Sequence, residues 1–252
     1  IHSTFFGPIK YAILPQHLHE DEVLGGTGLV EAGTYVAVLA GTIAGGIIPA
    51  ATSAALVLAL ALAGRMSSAA IPRAGALAHQ KIDFNVVRAS VRLVSATLHV
   101  PRLFQAILAV SAFWAMAAVL ASLFPPLVKN TLGANREVAT LFLALFSVGI
   151  AIGSILINRL LAGEVSARFA PAAAIIMGLF IIDLQATVNH WPPLDGTLDD
   201  VATFIRLPHA KRVMIDLLGV AIAGGMFVVP LYAFLTTTVK KSETARTVAA
   251  NN

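Results

Sequence analysis

The chain contains no cysteine. Disulfides and cysteine-ligated metal centres are excluded from the outset. Charge is nearly as scarce: Asp, Glu, Lys and Arg make up 12% of the 252 residues, where a soluble domain carries about 25%. So little charge excludes a disordered chain, a nucleic-acid-binding tail and an ordinary cytosolic enzyme. Nor are there short alternating segments of about ten residues, the pattern of a membrane barrel strand. No phosphate-binding G-x-x-x-x-G-K loop, H-E-x-x-H helix or G-x-S-x-G elbow occurs, so no soluble-enzyme chemistry is written in the chain.

Apolar sequence fills the space instead. Hydrophobic residues make up 58% of the chain and the mean hydropathy is +0.84. These values point to an all-α polytopic membrane protein. Residues 32–64 hold no charge at all. As one helix they would run about 50 Å, well beyond a hydrocarbon core of about 30 Å. The run must fold back, and Gly45-Gly46 with Pro49 is the natural place, since these residues end helices. Spans are expected over 23–47, 50–71, 103–128, 138–157, 170–188 and 213–239, with 1–14 as the tail of an earlier one. That makes about six full spans plus a partial one. Ile1 opens in apolar sequence and Asn252 closes without a helix ending, which reads as a fragment of a longer membrane protein.

The net charge of +4 matters less than where Lys and Arg sit. With the 15–22 loop placed in the cytoplasm, only Lys129, Arg136, Arg206, Lys211 and Arg212 of the 17 Lys and Arg fall outside. The other twelve are cytoplasmic, which satisfies the positive-inside rule. Residues 73–102 carry Arg73, Lys81, Arg88, Arg92 and Arg102 against Asp83 alone. This basic connector is too polar to span and is expected to meet anionic headgroups of the membrane lipids.

Lys10 and Glu31 stand beside long apolar runs. Ionisable groups at membrane depth are costly and mark functional sites by default, although either side chain could instead snorkel to the headgroups. Asp183 and Asp216 flank the 190–212 loop and read as interfacial acids at helix ends. Gly41-Thr42-Ile43-Ala44-Gly45 and Gly149-Ile150-Ala151-Ile152-Gly153 are G-x-x-x-G motifs, which let helices approach closely in lipid. They are read either as one shared seam or as ordinary glycine-rich membrane sequence. His17 and His19 form H-x-H without further ligands, too little for a metal site. Asn189-His190 with Asp195 matches the N-H-x4-D acyltransferase pattern, in which His is the general base. Its place in an outer loop and the absence of the companion E-G-T-type motif count against catalysis.

Four blocks of sequence resemble a known group. Phe5-Phe6-Gly7-Pro8-Ile9-Lys10-Tyr11-Ala12-Ile13-Leu14-Pro15 is similar to the end of the fourth helix in the lysophospholipid transporter branch of the major facilitator superfamily. Gly28-Leu29-Val30-Glu31-Ala32-Gly33-Thr34, with Leu39 through Gly46, resembles the fifth helix of that branch. Phe142 through Arg159 resembles the eighth helix and its loop, and Ala245 through Asn252 the approach to the eleventh. The resemblance implies a fragment of a twelve-helix fold: 1–72 closing the N-terminal bundle (late helix four, helices five and six), 73–102 as the cytoplasmic linker, and 103–252 as helices seven to ten with the following loop.

It also implies transport of lysophospholipids across a bacterial inner membrane by alternating access, with no cofactor, no nucleic acid and no enzyme activity in this chain. Lys10 and Glu31 would bind substrate, and Gly41, Gly45, Gly149 and Gly153 would pack helices five and eight. Arg159 is carried over from the superfamily's loop signature. Asn158 and Ser154 depart from that signature, standing where it has Asp and Gly. Some relatives carry acyltransferase and acyl-activating domains, so such domains are expected as partners in cis or in trans. A small-solute transporter of the same superfamily, an intramembrane enzyme and a non-transporting scaffold are the competing readings.

Overall fold

The computed structural model of the protein describes residues 7, 9–72, 85, 87–89, 91, 95, 100–193, 196, 198–240 and 243–251. Most of the expected 73–102 linker lies outside the described residues, as do Phe5, Phe6 and Asp195. The architecture is all-helical: α1 (Leu14–His17), α2 (Glu20–Ile47), α3 (Ala50–Ala69), α4 (Pro101–Asn130), α5 (Arg136–Leu161), α6 (Ala170–Asn189), α7 (Val201–Arg206), α8 (Ala210–Thr237) and α9 (Thr244–Asn251). Among the described residues, α2, α3, α4, α5, α6 and α8 are each long and apolar enough to cross a membrane. They coincide with the six expected spans.

Local chemistry explains the boundaries. At the start of α2 the Glu22 carboxylate accepts the His19 backbone N–H at 3.0 Å. Glu20, Asp21 and Glu22 also place negative charge at the positive end of the helix dipole. The α2–α3 break falls at Ile48 and Pro49, next to the glycine pair. Pro101 opens α4 at a position where its missing N–H costs nothing. Asn135 caps α5 by accepting from the Glu137 and Val138 N–H groups. Ala162 (φ 50°) and Gly163 (φ +83°) then turn the chain out of α5 in the left-handed region. Asp200 caps α7 through the Thr203 N–H at 2.8 Å. That backbone bond holds its carboxyl below the usual carboxylate range.

Two ends of the bundle are defined by contacts. At one end Gly163 abuts the Asp21 carbonyl and Gly25 abuts the Asn158 side chain. The α1–α2 turn and the 162–169 loop therefore share a side, as the charge count requires. At the other end Asn135 N–H donates to the Asp199 carbonyl (2.9 Å) and Asp199 N–H to the Gly133 carbonyl (2.8 Å). An aromatic cluster closes this end, with Phe204 5.8 Å from Phe142 and 5.9 Å from Trp191.

The helix α8 is the hub, packed on α5, α6, α2 and α4. Between helices in lipid there is little hydrophobic gain, so close approach of backbones supplies the attraction. A Cβ on Gly153 would stand 2.0 Å from the Ile222 carbonyl oxygen, and one on Gly225 2.5 Å from that of Ile150. One residue further round α5, a Cβ on Gly28 would stand 2.8 Å from the Ser154 carbonyl. Gly149 abuts Ala221 and Leu218 of α8.

The expected shared seam between the two G-x-x-x-G motifs is therefore corrected. Gly149 and Gly153 pack against α8. Gly41 and Gly45 have no atom of the described residues within 4 Å of where a Cβ would be. The helix α2 meets α5 through Gly25 and Gly28 instead. The thirteen residues from Gly28 to Gly41 turn about 220° around the axis at about 100° each, which carries the 41–45 face away from α5. Apart from half-buried Ser53, the helix α3 is exposed where its burial is described, as Leu58 (66%) and Met66 (75%) illustrate.

Candidate functional site

The chain contains three tyrosines, and Tyr11, Tyr35 and Tyr232 converge on one place. Tyr35 sits midway along α2, one turn beyond Glu31, so both side chains share a helix face. Tyr232 lies two residues past Pro230 in α8. Tyr11 and Lys10 come from the helical segment before α1. Glu31 is 1% exposed, Tyr11 and Tyr232 are 4% and Tyr35 is 9%. Tyr11 donates its hydroxyl to the Glu31 carboxylate and stacks on Tyr232 at 4.6 Å. Tyr35 stacks on Trp114 of α4 at 6.4 Å. The Trp114 indole N–H donates to the Tyr232 hydroxyl at 3.0 Å.

Lys10 completes the cluster. Its ammonium donates to Thr34 Oγ1 at 3.3 Å and lies 4.6 Å from the centre of the Tyr11 ring. Thr34 in turn donates to the Val30 carbonyl at 2.6 Å, leaving its oxygen lone pairs for Lys10. The ammonium is within electrostatic reach of Glu31. The structure thus brings Lys10 and Glu31 together around Tyr11. A buried carboxylate is tolerated only when paired and hydrogen-bonded, and Tyr11 with Lys10 provides both. Ammonium, carboxylate and four aromatic rings packed in one cluster are the groups that suit a zwitterion: an ammonium for an anionic group, a carboxylate and rings for a cationic one.

Beside this cluster lies an apolar cavity of about 340 Å³. It is lined by Phe113, Met116, Leu120, Phe146, Met177 and Val220 among others. Phe113 links the cluster to the cavity. It lines the cavity and meets Trp114 edge-on at 5.3 Å.

The other expected residues do not join this site. Asn158 is packed against Gly25 at the loop end of α5, with its Oδ1 enclosed and without a hydrogen-bond partner. Arg159 is exposed in the last turn of α5. His190 turns Nδ1 to the Ala186 carbonyl at 2.7 Å. His17 is exposed, and His19 serves at the start of α2. Sequence reasoning missed Tyr35, Trp114 and Tyr232. The available signal was their position: tyrosine and tryptophan in spans usually gather in belts at the interfaces, whereas Tyr35, Trp114 and Tyr232 stand well inside theirs.

The six membrane-length helices among the described residues define a multi-pass membrane protein. Over nearly its whole length the chain is similar to bacterial proteins named lysophospholipid transporter LplT. It is 29% identical over 251 residues to that of Serratia proteamaculans, covering 95% of this chain and 56% of the relative. It is 27% identical over 240 residues to that of Photorhabdus laumondii (92% and 55%). It is 28% identical over 250 residues to that of Escherichia fergusonii (96% and 57%). The chain therefore spans a little over half the length of these relatives. No protein-family model matches the chain, and no solved structure does.

Proposed function

We propose that this chain is the central part of a transporter that carries lysophospholipids across a bacterial inner membrane by alternating access. The observation that carries the reading is the cluster of half-buried Lys10 with buried Tyr11 and Glu31, walled by Tyr35, Trp114 and Tyr232. A lysophospholipid presents a phosphate, a polar or ammonium head and one acyl chain. Moving the head through hydrocarbon unpaired costs several kcal/mol. Lys10 would take the phosphate as a point charge. Glu31 and the aromatic faces would receive an ammonium head. The apolar cavity beyond Phe113 would receive the acyl chain; its volume is within the range of about 300–1,000 Å³ usual for ligand sites.

In this reading residues 1–72 close an N-terminal bundle of a twelve-helix fold. Residues 73–102 form the cytoplasmic linker, and 103–252 belong to the second bundle. The exposed α3 and the Gly41–Gly45 face of α2 are where further helices would pack. The site draws on both bundles, because Lys10, Tyr11, Glu31 and Tyr35 belong to the first and Trp114 and Tyr232 to the second. Rocking of one bundle on the other would open and close it. Acyltransferase or acyl-activating domains, in cis or in trans, would consume the delivered lysolipid.

The test is uptake of labelled lysophosphatidylethanolamine by vesicles containing the full-length protein. Uptake that Lys10→Ala and Glu31→Gln reduce at matched insertion supports the reading. Unchanged uptake in both variants overturns the site. Transport of a small polar solute in place of lysolipid overturns the substrate class.

A further inference from the structure

Asp216 is 2% exposed, and its Oδ2 is enclosed without a hydrogen-bond partner. It lies six residues into α8, about 9 Å from the helix start. Asp183 lies six residues from the end of α6, at matching depth in the neighbouring helix. The two carboxyls and Arg212, one turn before Asp216, form a single electrostatic group. The guanidinium is committed to Asp183. Its Nε donates to Oδ2 at 2.8 Å, and its Nη2 donates to Oδ1. Two carboxylates thus face one cation. The side chains that α4, α5 and α7 bury at this end of the bundle are Phe124, Val128, Val138, Phe142 and Phe204; the charged residues these helices bring to the same end, Lys129, Arg136, Glu137 and Arg206, are exposed. Val213 and Leu217 flank Asp216 on its own helix. No other charge acts on Asp216 among the described residues.

We infer that Asp216 and Asp183 form a proton-binding site in which one proton, carried on Asp216 and shared with Asp183, balances the group to neutrality. Like-charged carboxyls near one another resist ionising together, and of the two it is Asp216, enclosed where Asp183 and Arg212 are partly exposed, whose charge is the costlier. A metal cation is disfavoured at the same spot. Both oxygens of Asp183 are taken by the guanidinium, which would repel a second cation. The proton works as a latch between α6 and α8. With it bound, the group is neutral and the helices hold together. With it lost, two carboxylates oppose one guanidinium and their ends are pushed apart. The latch is therefore closed at low pH and released as pH rises.

The site is separate from the lysolipid cluster, and its test needs no substrate. Infrared difference spectra of the purified protein in lipid nanodiscs, taken between acidic and alkaline pH, read the C=O band of a protonated carboxyl directly. The wild type is expected to show a band that disappears on alkalinisation. Asp216→Asn should lose it. Asp183→Asn should lose it too, because Arg212 is then free to pair with Asp216 and ionise it. Glu31→Gln should keep it, which separates this acid from the buried one in the lysolipid site. Asp183 lies at a more exposed edge, so its variant keeps the test decisive even where Asp216→Asn does not insert. A spectrum unchanged in both aspartate variants overturns the proposal. So does a band that survives Asp183→Asn, or one that sodium abolishes at constant pH.

Discussion

Trp114 of α4 donates its indole N–H to the hydroxyl of Tyr232 on α8 at 3.0 Å, across 118 residues of sequence. This bond ties the helix that follows the linker to the hub helix at the level of Glu31. A second tryptophan, Trp191, stacks far away at the loop end. In the Trp191→Phe protein, Trp114 is the one tryptophan left in this chain, and it is placed in the candidate site. Lysophosphatidylethanolamine added to that protein should shift or quench its emission in a saturable way, and diacyl phospholipid should not. Tyr232→Phe, which removes the acceptor, should weaken stability by about 1 kcal/mol and blunt the signal.

Lys10 and Glu31 should respond differently to substitution. A hydrogen bond to a charged group contributes about 1.5–3 kcal/mol, so Lys10→Ala should cut lysolipid uptake about 10- to 100-fold. Lys10→Arg should retain part of it, because a planar fork does not replace a compact ammonium in a confined site. Glu31→Gln keeps an acceptor for Tyr11 and should insert normally, while losing affinity for ammonium-headed lysolipids more than for anionic ones. Headgroup competition in uptake assays measures the difference. A snorkelling lysine predicts near-normal uptake for both Lys10 variants.

The two G-x-x-x-G motifs should behave oppositely. Gly153→Ala places a Cβ against the Ile222 backbone, and overpacking of that kind costs about 1–3 kcal/mol. Gly41→Ala meets no atom of the described residues, so in this chain without its neighbouring helices it should be neutral or stabilise its helix by about 0.5–1 kcal/mol. Unfolding of the two variants in mild detergent, followed by circular dichroism, compares them.

The apolar cavity should set chain-length preference. Met116→Trp fills space beside Leu120 and Met177. It should reduce uptake of long-chain lysolipids several-fold while leaving short-chain ones close to wild type. Equal loss for all chain lengths would remove the acyl chain from this cavity.

Orientation is open to labelling, since the chain has no native cysteine. A cysteine at Glu164, on the side shared with the α1–α2 turn, should label from the cytoplasm. One at Pro193 should label only from outside. The reverse pattern would invert the topology.

Much of the architecture was legible in the sequence, because a bilayer imposes a length on every uncharged run. The six spans, the break at Gly45 to Pro49 and the exposed ionic loops follow from that single constraint. Lys10 and Glu31 also stood out, since a charge beside apolar sequence is rare enough to notice. What the sequence could not assign was partnership. A G-x-x-x-G spacing marks a small-residue face but carries no record of which helix that face meets. Only packing showed that α5 takes α8 on its Gly149–Gly153 side and α2 on the Ser154 side. Asp216 looked like an interfacial acid until the fold buried it against Asp183 and Arg212. Tyr11, Tyr35, Trp114 and Tyr232 are scattered over more than 220 residues of sequence. Hydropathy scores each of them by its neighbours in the chain, whereas the site is made by neighbours in space, which exist only once α2, α4 and α8 have packed.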